Sequence, residues 1–199
     1  MQRFLDAAFE LVNASDRRDF TVQEVVERSG QSLRSFYQYF GGKNELLLAL
    51  FEETVRSTAE HLAASVADVD APGERLHRFV VEYYRLCRPV GGRGDRPGDV
   101  PGPVLVEFAQ QLLTAQPAEA ARVFAPLVAL FERLLDDAAA AGVLREGLDR
   151  RSVAGTVLEV VMFNAFAATI GGAPVKDDAT EAAEDLWDLL FRGIGAPAA

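Results

Sequence analysis

The sequence predicts an all-α protein, and three observations carry that prediction. Apolar residues recur at i, i+3, i+4 and i+7 in one segment after another, which is the spacing of a single helical face. Start and stop signals bound these segments, with Ser, Thr or Asp before them and Gly after them. Period-two alternation between turn residues does not occur, so no sheet is expected.

Leu5, Ala8, Phe9 and Val12 share one face and predict a first helix over residues 2–14. Thr21 followed by Glu24 is a capping box, in which each side chain satisfies an orphan N–H at a helix start. A second helix is expected over 21–28, burying Val22, Val25 and Val26, with Gly30 as the left-handed stop. Ser32 can cap a third helix over 32–39. There Leu33, Phe36, Tyr37 and Phe40 follow the helical spacing and leave Arg34, Ser35 and Gln38 outward. Gly41-Gly42 precedes a long helix from Lys43 to about Val69, with Leu46, Leu47, Leu50, Phe51, Val55 and Leu62 as apolar positions. Residues 73–88 form an aromatic-rich helix. Pro89 to Pro103 holds nine of the 25 Gly and Pro residues in 15 positions and is expected to be a loop. Further helices are expected over 104–115, 117–141, 149–171 and 178–193, with Gly142 and Gly171 as stops and Asp149 as an N-cap.

Composition limits the functions open to the chain. At 199 residues with 49% apolar content it can bury a core without a disulfide or metal staple. Cys87 is the single cysteine, which rules out an intrachain disulfide, and His61 and His77 are too few for a Cys/His zinc site. No metal site and no cofactor is expected. Asp6 and Glu10 interrupt the N-terminal apolar run, so no export signal is read there and a cytoplasmic protein is expected. The most apolar window, Val153 to Ile170, carries Glu159 and Asn164 and reads as a buried or interface helix rather than a membrane span.

The charge is unevenly distributed. The formal net charge is −10, but residues 1–45 hold six basic and seven acidic side chains and contribute only −1. Phosphate backbones bind through Lys and Arg, so only this N-terminal quarter is electrostatically permissive for DNA.

Two short helices joined by a glycine turn, the second with a polar outward face, form a helix-turn-helix unit. The string TVQEVVERSGQSLRSFYQYFGGKNEL, Thr21 to Leu46, closely resembles the DNA-binding segment of TetR-family repressors. The matching positions are Thr21-Val22, Gly30, Ser32, Phe36-Tyr37, Tyr39-Phe40, Lys43 and Leu46, and the resemblance is strong over residues 4–51. Val26 and Ser29 depart from the family's usual alanine, and Gln31 from its usual small aliphatic residue. The chain starts about three residues before FLDAAF, where many relatives carry a basic arm, so no minor-groove contacts are assigned to an arm.

The resemblance implies a helix-turn-helix DNA-binding domain over residues 1–45 and a helical ligand-binding and dimerisation domain over 46–199. It also implies that Lys43 and Tyr37 contact phosphates. Lys43 stands at a helix N-terminus, where the dipole disfavours a cation by about 0.3–1 kcal/mol and a bound anion reverses that sign. Arg34 is the candidate for a base-edge contact, because its fork can bond guanine bidentately. Thr21, Gln23, Ser32, Ser35 and Tyr39 complete the DNA-binding candidates. Tyr37 reads equally as a core residue, since its ring falls on the apolar face.

The remaining aromatic residues have two readings. Phe51, Val55, Phe79, Tyr83, Tyr84 and Phe108, with Phe124, Phe131, Met162, Phe163 and Phe166, either fill a helical core or line an apolar effector cavity. Family resemblance favours the cavity. Tyr83, Tyr84, Gln110, Gln111, Glu159 and Asn164 are polar groups that can orient a ligand there. Val157, Val161, Leu186, Trp187, Leu190 and Phe191 form stripes that pack either within one subunit or with their twofold copies in a homodimer.

These expectations describe a ligand-responsive repressor with three partners: a palindromic double-stranded DNA operator, a small lipophilic or aromatic effector, and a second copy of the chain. No GxSxG elbow, Walker loop or HExxH is found, and no catalytic residue is assigned. Asp136-Asp137 and Asp177-Asp178 read as solvated surface, and Arg93-Gly94-Asp95 as an accidental tripeptide. The acidic charge favours the competing reading, a helical ligand-binding or protein-interaction module that does not bind DNA.

Overall fold

The computed structural model describes residues 1–12, 19–87, 103–170 and 179–194. Among them the regular elements are helices: α1 Gln2–Val12, α2 Val22–Ser29, α3 Leu33–Tyr39, α4 Lys43–Val66, α5 Pro72–Cys87, α6 Pro103–Ala115, α7 Pro117–Ala140, α8 Arg150–Ile170 and α9 Ala179–Ile194. No described helix is long and apolar enough to cross a membrane. The ends of the first helix (residues 13 and 14), Gly171 and Asp177-Asp178 lie outside the described residues. So does the expected loop from Pro89, up to the start of α6 at Pro103.

Two compact units emerge, one from Met1–Ser57 with Pro89–Phe124, the other from Thr58–Arg88 with Ala125–Ala199. In the first, α1 packs against α2 and meets α6. Phe4, Leu5, Ala8, Val12, Val25, Phe36, Phe40 and Leu46 are buried. Phe4 stands edge-on to Phe36 at 5.5 Å and to Phe40 at 6.2 Å, so α3 is pinned to α1 through aromatic rings. Further along α4, Phe51 meets Phe108 of α6 at 6.0 Å and Phe124 of α7 at 5.6 Å.

In the second unit α5 packs against both α8 and α9. Phe79 stacks on Phe131 at 4.6 Å, and both rings are buried. His77 bonds Glu184 at 2.6 Å and meets the Trp187 ring edge-on, so polar and aromatic contacts tie α5 to α9. Gly142 takes φ +71° at the end of α7, where its N–H bonds Ala139 and the Val143 N–H bonds Ala138. That pairing satisfies the last carbonyls of the helix, and the positive φ favours glycine. Pro126 lies inside α7, where its missing N–H leaves the Arg122 carbonyl without a helical donor.

The structure departs from the expected faces of α3. Leu33 is 44% exposed and Tyr37 57% exposed, while Ser35 is half-buried. Two turns of helix allow only Phe36, and Phe40 just beyond, to reach the core against α1, so the other positions of the apolar pattern face water. Val22 is half-buried rather than buried, because it occupies the first position of α2. The long helix ends at Val66, three residues before the expected Val69.

Candidate nucleic-acid interface

The second helix of the N-terminal segment is displayed by three local devices. The Thr21 Oγ1 accepts the Glu24 N–H at 3.2 Å and the Glu24 carboxylate accepts the Thr21 N–H at 2.8 Å, so the capping box forms in full. Gly30 takes φ +64° and its N–H bonds Glu27, while the Gln31 N–H bonds Val26, which turns the chain out of α2. The Ser32 hydroxyl then accepts the Ser35 N–H at 3.1 Å and starts α3.

The candidate residues are thereby sorted. Thr21 and Ser32 carry capping bonds that shape the turn. Gln23 bonds Glu27 at 3.0 Å along the exposed side of α2. Arg34, Tyr37, Gln38 and Tyr39 are exposed on α3, and Ser35 is half-buried. Arg34 pairs with no acidic group among the described residues, whereas Arg28 pairs with Glu10 at 3.1 Å and ties α2 to α1. Tyr37 resolves in favour of the surface. Its ring packs edge-on against Phe36 at 5.4 Å while most of it faces water.

The start of α4 is less open than a bare helix end. Glu45 accepts the Gly41 N–H at 2.7 Å, a carboxylate placed on the positive end of the dipole. Lys43 pairs with Asp19 and lies 4.6 Å from the Phe20 ring centroid. Asp19 is held below its ordinary carboxylate range by the Lys43 hydrogen bond, then by the Phe20 N–H and the Lys43 charge. Sequence reasoning did not find Asp19, Phe20 or Glu45. Glu45 was accessible from its spacing to Gly41, but Asp19 lies 24 positions before Lys43 and no local pattern connects them.

The effector candidates divide between the two units. Phe51, Val55, Phe108 and Phe124 belong to the first, and Phe79, Tyr83, Tyr84, Phe131, Met162, Phe163 and Phe166 to the second. Phe163 is 42% exposed and faces outward from the core of its own unit. None of the effector candidates borders a small cleft in the first unit, which Gln2, Leu5, Asp6, Phe9, Leu50, Glu53, Thr54 and Ser57 line. Gln111, Glu159 and Asn164 are exposed, while the buried Tyr83 hydroxyl pairs with the Cys87 sulfur.

Of the dimer candidates, Val157, Val161, Leu186 and Trp187 are already buried within the single chain. Leu190 and Phe191 are half-buried, and Phe191 stacks on Trp187 at 4.8 Å. The exposed apolar groups of α8 and α9 are instead Val160, Phe163 and Leu189, the last at 70%. Helical periodicity identifies an apolar stripe but not which part of it the subunit's own helices cover. Among the described residues no group of three His, Cys, Asp or Glu side chains is placed to hold a metal ion.

A capped helix, a left-handed glycine turn and a second helix with its outer face open define a helix-turn-helix protein. Residues 4–50 match the family model described as bacterial regulatory proteins, tetR family. The transcriptional regulator BetI of Brucella suis biovar 1 is 31% identical over 87 residues, 44% of this chain and 44% of that protein, so the chain matches under half the length of such relatives. YvdT of Bacillus subtilis, an HTH-type transcriptional regulator by name, is 19% identical over 195 residues, 98% of this chain and 94% of that one. The crystal structure of the regulator FadR from Bacillus subtilis in complex with stearoyl-CoA superposes with a TM-score of 0.73 at 18% identity, covering 97% of this chain and 98% of that one. That likeness extends the shared fold through the C-terminal helices. Residues 4–50 are thus a DNA-binding segment of the tetR-family kind, and the rest of the chain shares the helical fold of such solved structures.

Proposed function

We propose that the protein is a ligand-responsive transcriptional repressor that binds a palindromic operator as a homodimer. The observation that carries this reading is α3, a helix anchored by Phe36 with Arg34, Tyr37, Gln38 and Tyr39 exposed along its outer side. In this reading residues 1–45 bind DNA and residues 46–199 bind the effector and dimerise, in the cytoplasm. Arg34 reads a base edge, and Tyr37 and Lys43 contact phosphates. Gln23, Ser35 and Tyr39 are further contacts, with Thr21 and Ser32 shaping the turn that presents them.

A dimer is required because two half-sites about one helical turn apart need two recognition helices at matching spacing. Val160, Phe163 and Leu189 form the interface in this reading, with Leu190 and Phe191 beside them. The effector is lipophilic or aromatic, because the groups available to line a cavity are Phe51, Val55, Phe108 and Phe124 in one unit and Phe79, Tyr83, Phe131, Met162 and Phe166 in the other. A neighbour of the same fold that holds an acyl-CoA is compatible with that chemistry. Effector binding favours a dimer whose recognition helices no longer match the groove. The continuous helix α4 starts at Lys43 and carries Phe51 and Val55, which makes it the expected link.

Selection from a random duplex library with the purified protein, followed by anisotropy titrations at two salt concentrations, tests the reading. A palindromic site bound by dimers with steep salt dependence is expected. Absence of any enriched site would favour the module that does not bind DNA, which the net charge of −10 supports.

A further inference from the structure

Lys43 is not presented as a free cation. Its ammonium pairs with Asp19 and rests over the face of Phe20, a ring buried to 2%. The carboxylate is itself fixed, because the Phe20 N–H donates to Asp19 Oδ1 at 2.8 Å, the same oxygen that Lys43 meets. The Lys43 side chain is 29% exposed and that of Asp19 is 77% exposed, so the carboxylate is the solvent-facing partner. A backbone phosphate approaching the start of α4 therefore meets a lysine that already has an anion.

We propose that Asp19 is an internal competitor of the DNA phosphate for Lys43, a positioning residue that sets overall DNA affinity without reading sequence. The proposal rests on the DNA-binding reading above. A phosphate contact at Lys43 forms only as the contact with Asp19 is given up, and it leaves a carboxylate beside the phosphate. Each lysine that neutralises a phosphate releases a counterion, but the freed carboxylate takes one up, so Lys43 adds little to the salt dependence. Without the carboxylate, Lys43 would count as a full phosphate contact. The effect is independent of sequence, because phosphates carry no base information. Its size is several-fold, in keeping with the weakness of exposed ion pairs.

The test uses Asp19→Asn in the full chain, since the amide oxygen can still accept the Phe20 N–H while the charge is gone. Asp19→Ser serves as a second variant, and circular dichroism checks that both fold. Each is titrated against the selected operator and against a duplex of mixed sequence over a range of salt, alone and combined with Lys43→Gln. Expected are a several-fold tightening on both duplexes by the same factor and a slope of log K against log salt steeper by about 0.9. Both effects should vanish in the Lys43→Gln background. Equal tightening in that background would overturn the proposal, because Asp19 would then be only one more negative charge near DNA. Unchanged affinity with Lys43 intact would overturn it as well, while leaving the DNA-binding reading in place. Failure of the wild-type chain and both variants to bind any duplex at low salt would remove the DNA-binding reading and this inference together.

Discussion

Phe4 and Phe36 meet edge to face, their centroids 5.5 Å apart and their planes at 89°, with exposures of 1% and 0%. This contact sets where α3 sits on α1, and through it the direction in which Arg34 and Tyr37 project. Phe36→Ala should cost about 3–5 kcal/mol of stability, the usual range for deleting a buried aromatic side chain. A denaturant midpoint unchanged by the substitution would show that α3 is held by something else.

Thr21→Ala removes one half of the capping box and should cost about 1 kcal/mol. DNA binding should weaken only as far as the stability loss predicts, since the hydroxyl accepts the Glu24 N–H. A much larger loss of operator affinity in a folded Thr21→Ala protein would give the hydroxyl a direct DNA contact.

Arg34 and Lys43 should fail differently. Arg34→Ala is expected to relax preference at one base position by about 1–3 kcal/mol, whereas Lys43→Ala should weaken binding to operator and mixed-sequence DNA by one common factor. Anisotropy competition between the two duplexes separates these outcomes. Equal losses for both variants on mixed-sequence DNA would contradict the assignment of Arg34 to a base edge.

Cys87 and Tyr83 give the protein an alkaline liability. Burial pushes the Cys87 thiol from its ordinary 9.0 up to about 12, partly opposed by the bond from Tyr83, and burial also raises Tyr83. Both raised groups hold their protons in the folded chain at a pH where the unfolded chain has lost them. Their contribution is therefore complete below about pH 9 and is lost as pH climbs towards 12. Denaturant midpoints measured against pH should fall across that window, and Cys87→Ala should flatten the fall. The same burial predicts a native thiol that resists alkylation until the protein unfolds. Labelling at the rate of an unfolded control would show that the thiol is open.

Leu189 of α9 is 70% exposed, and Val160 and Phe163 of α8 are exposed as well. Leu189→Asp should shift the protein towards monomers in sedimentation and weaken operator binding through lost dimers, with little change in monomer stability. Retained dimers would move the proposed interface elsewhere.

Caps and stops were readable from the chain alone because they are local. Thr21 with Glu24, Ser32 with Ser35 and the glycine after Ser29 involve partners within a few residues, so spacing alone states the bond. The helical order followed from the same short-range periodicity, whereas the helix-turn-helix from Thr21 to Leu46 was singled out from other helical hairpins by its resemblance to TetR-family segments.

What only the tertiary structure decided is which face each stripe presents and which charge meets which. The α3 pattern placed Leu33 and Tyr37 with Phe36, but contact with α1 is narrow and covers Phe36 alone within the helix. Val157, Val161 and Leu186 looked available to a partner chain and are covered by their own subunit. Lys43 read as a bare cation at a helix start until the fold brought Asp19 and Phe20 to it across 24 and 23 positions of chain. Periodicity records how residues are spaced along one helix, whereas burial and charge pairing depend on distances between helices, which only packing sets.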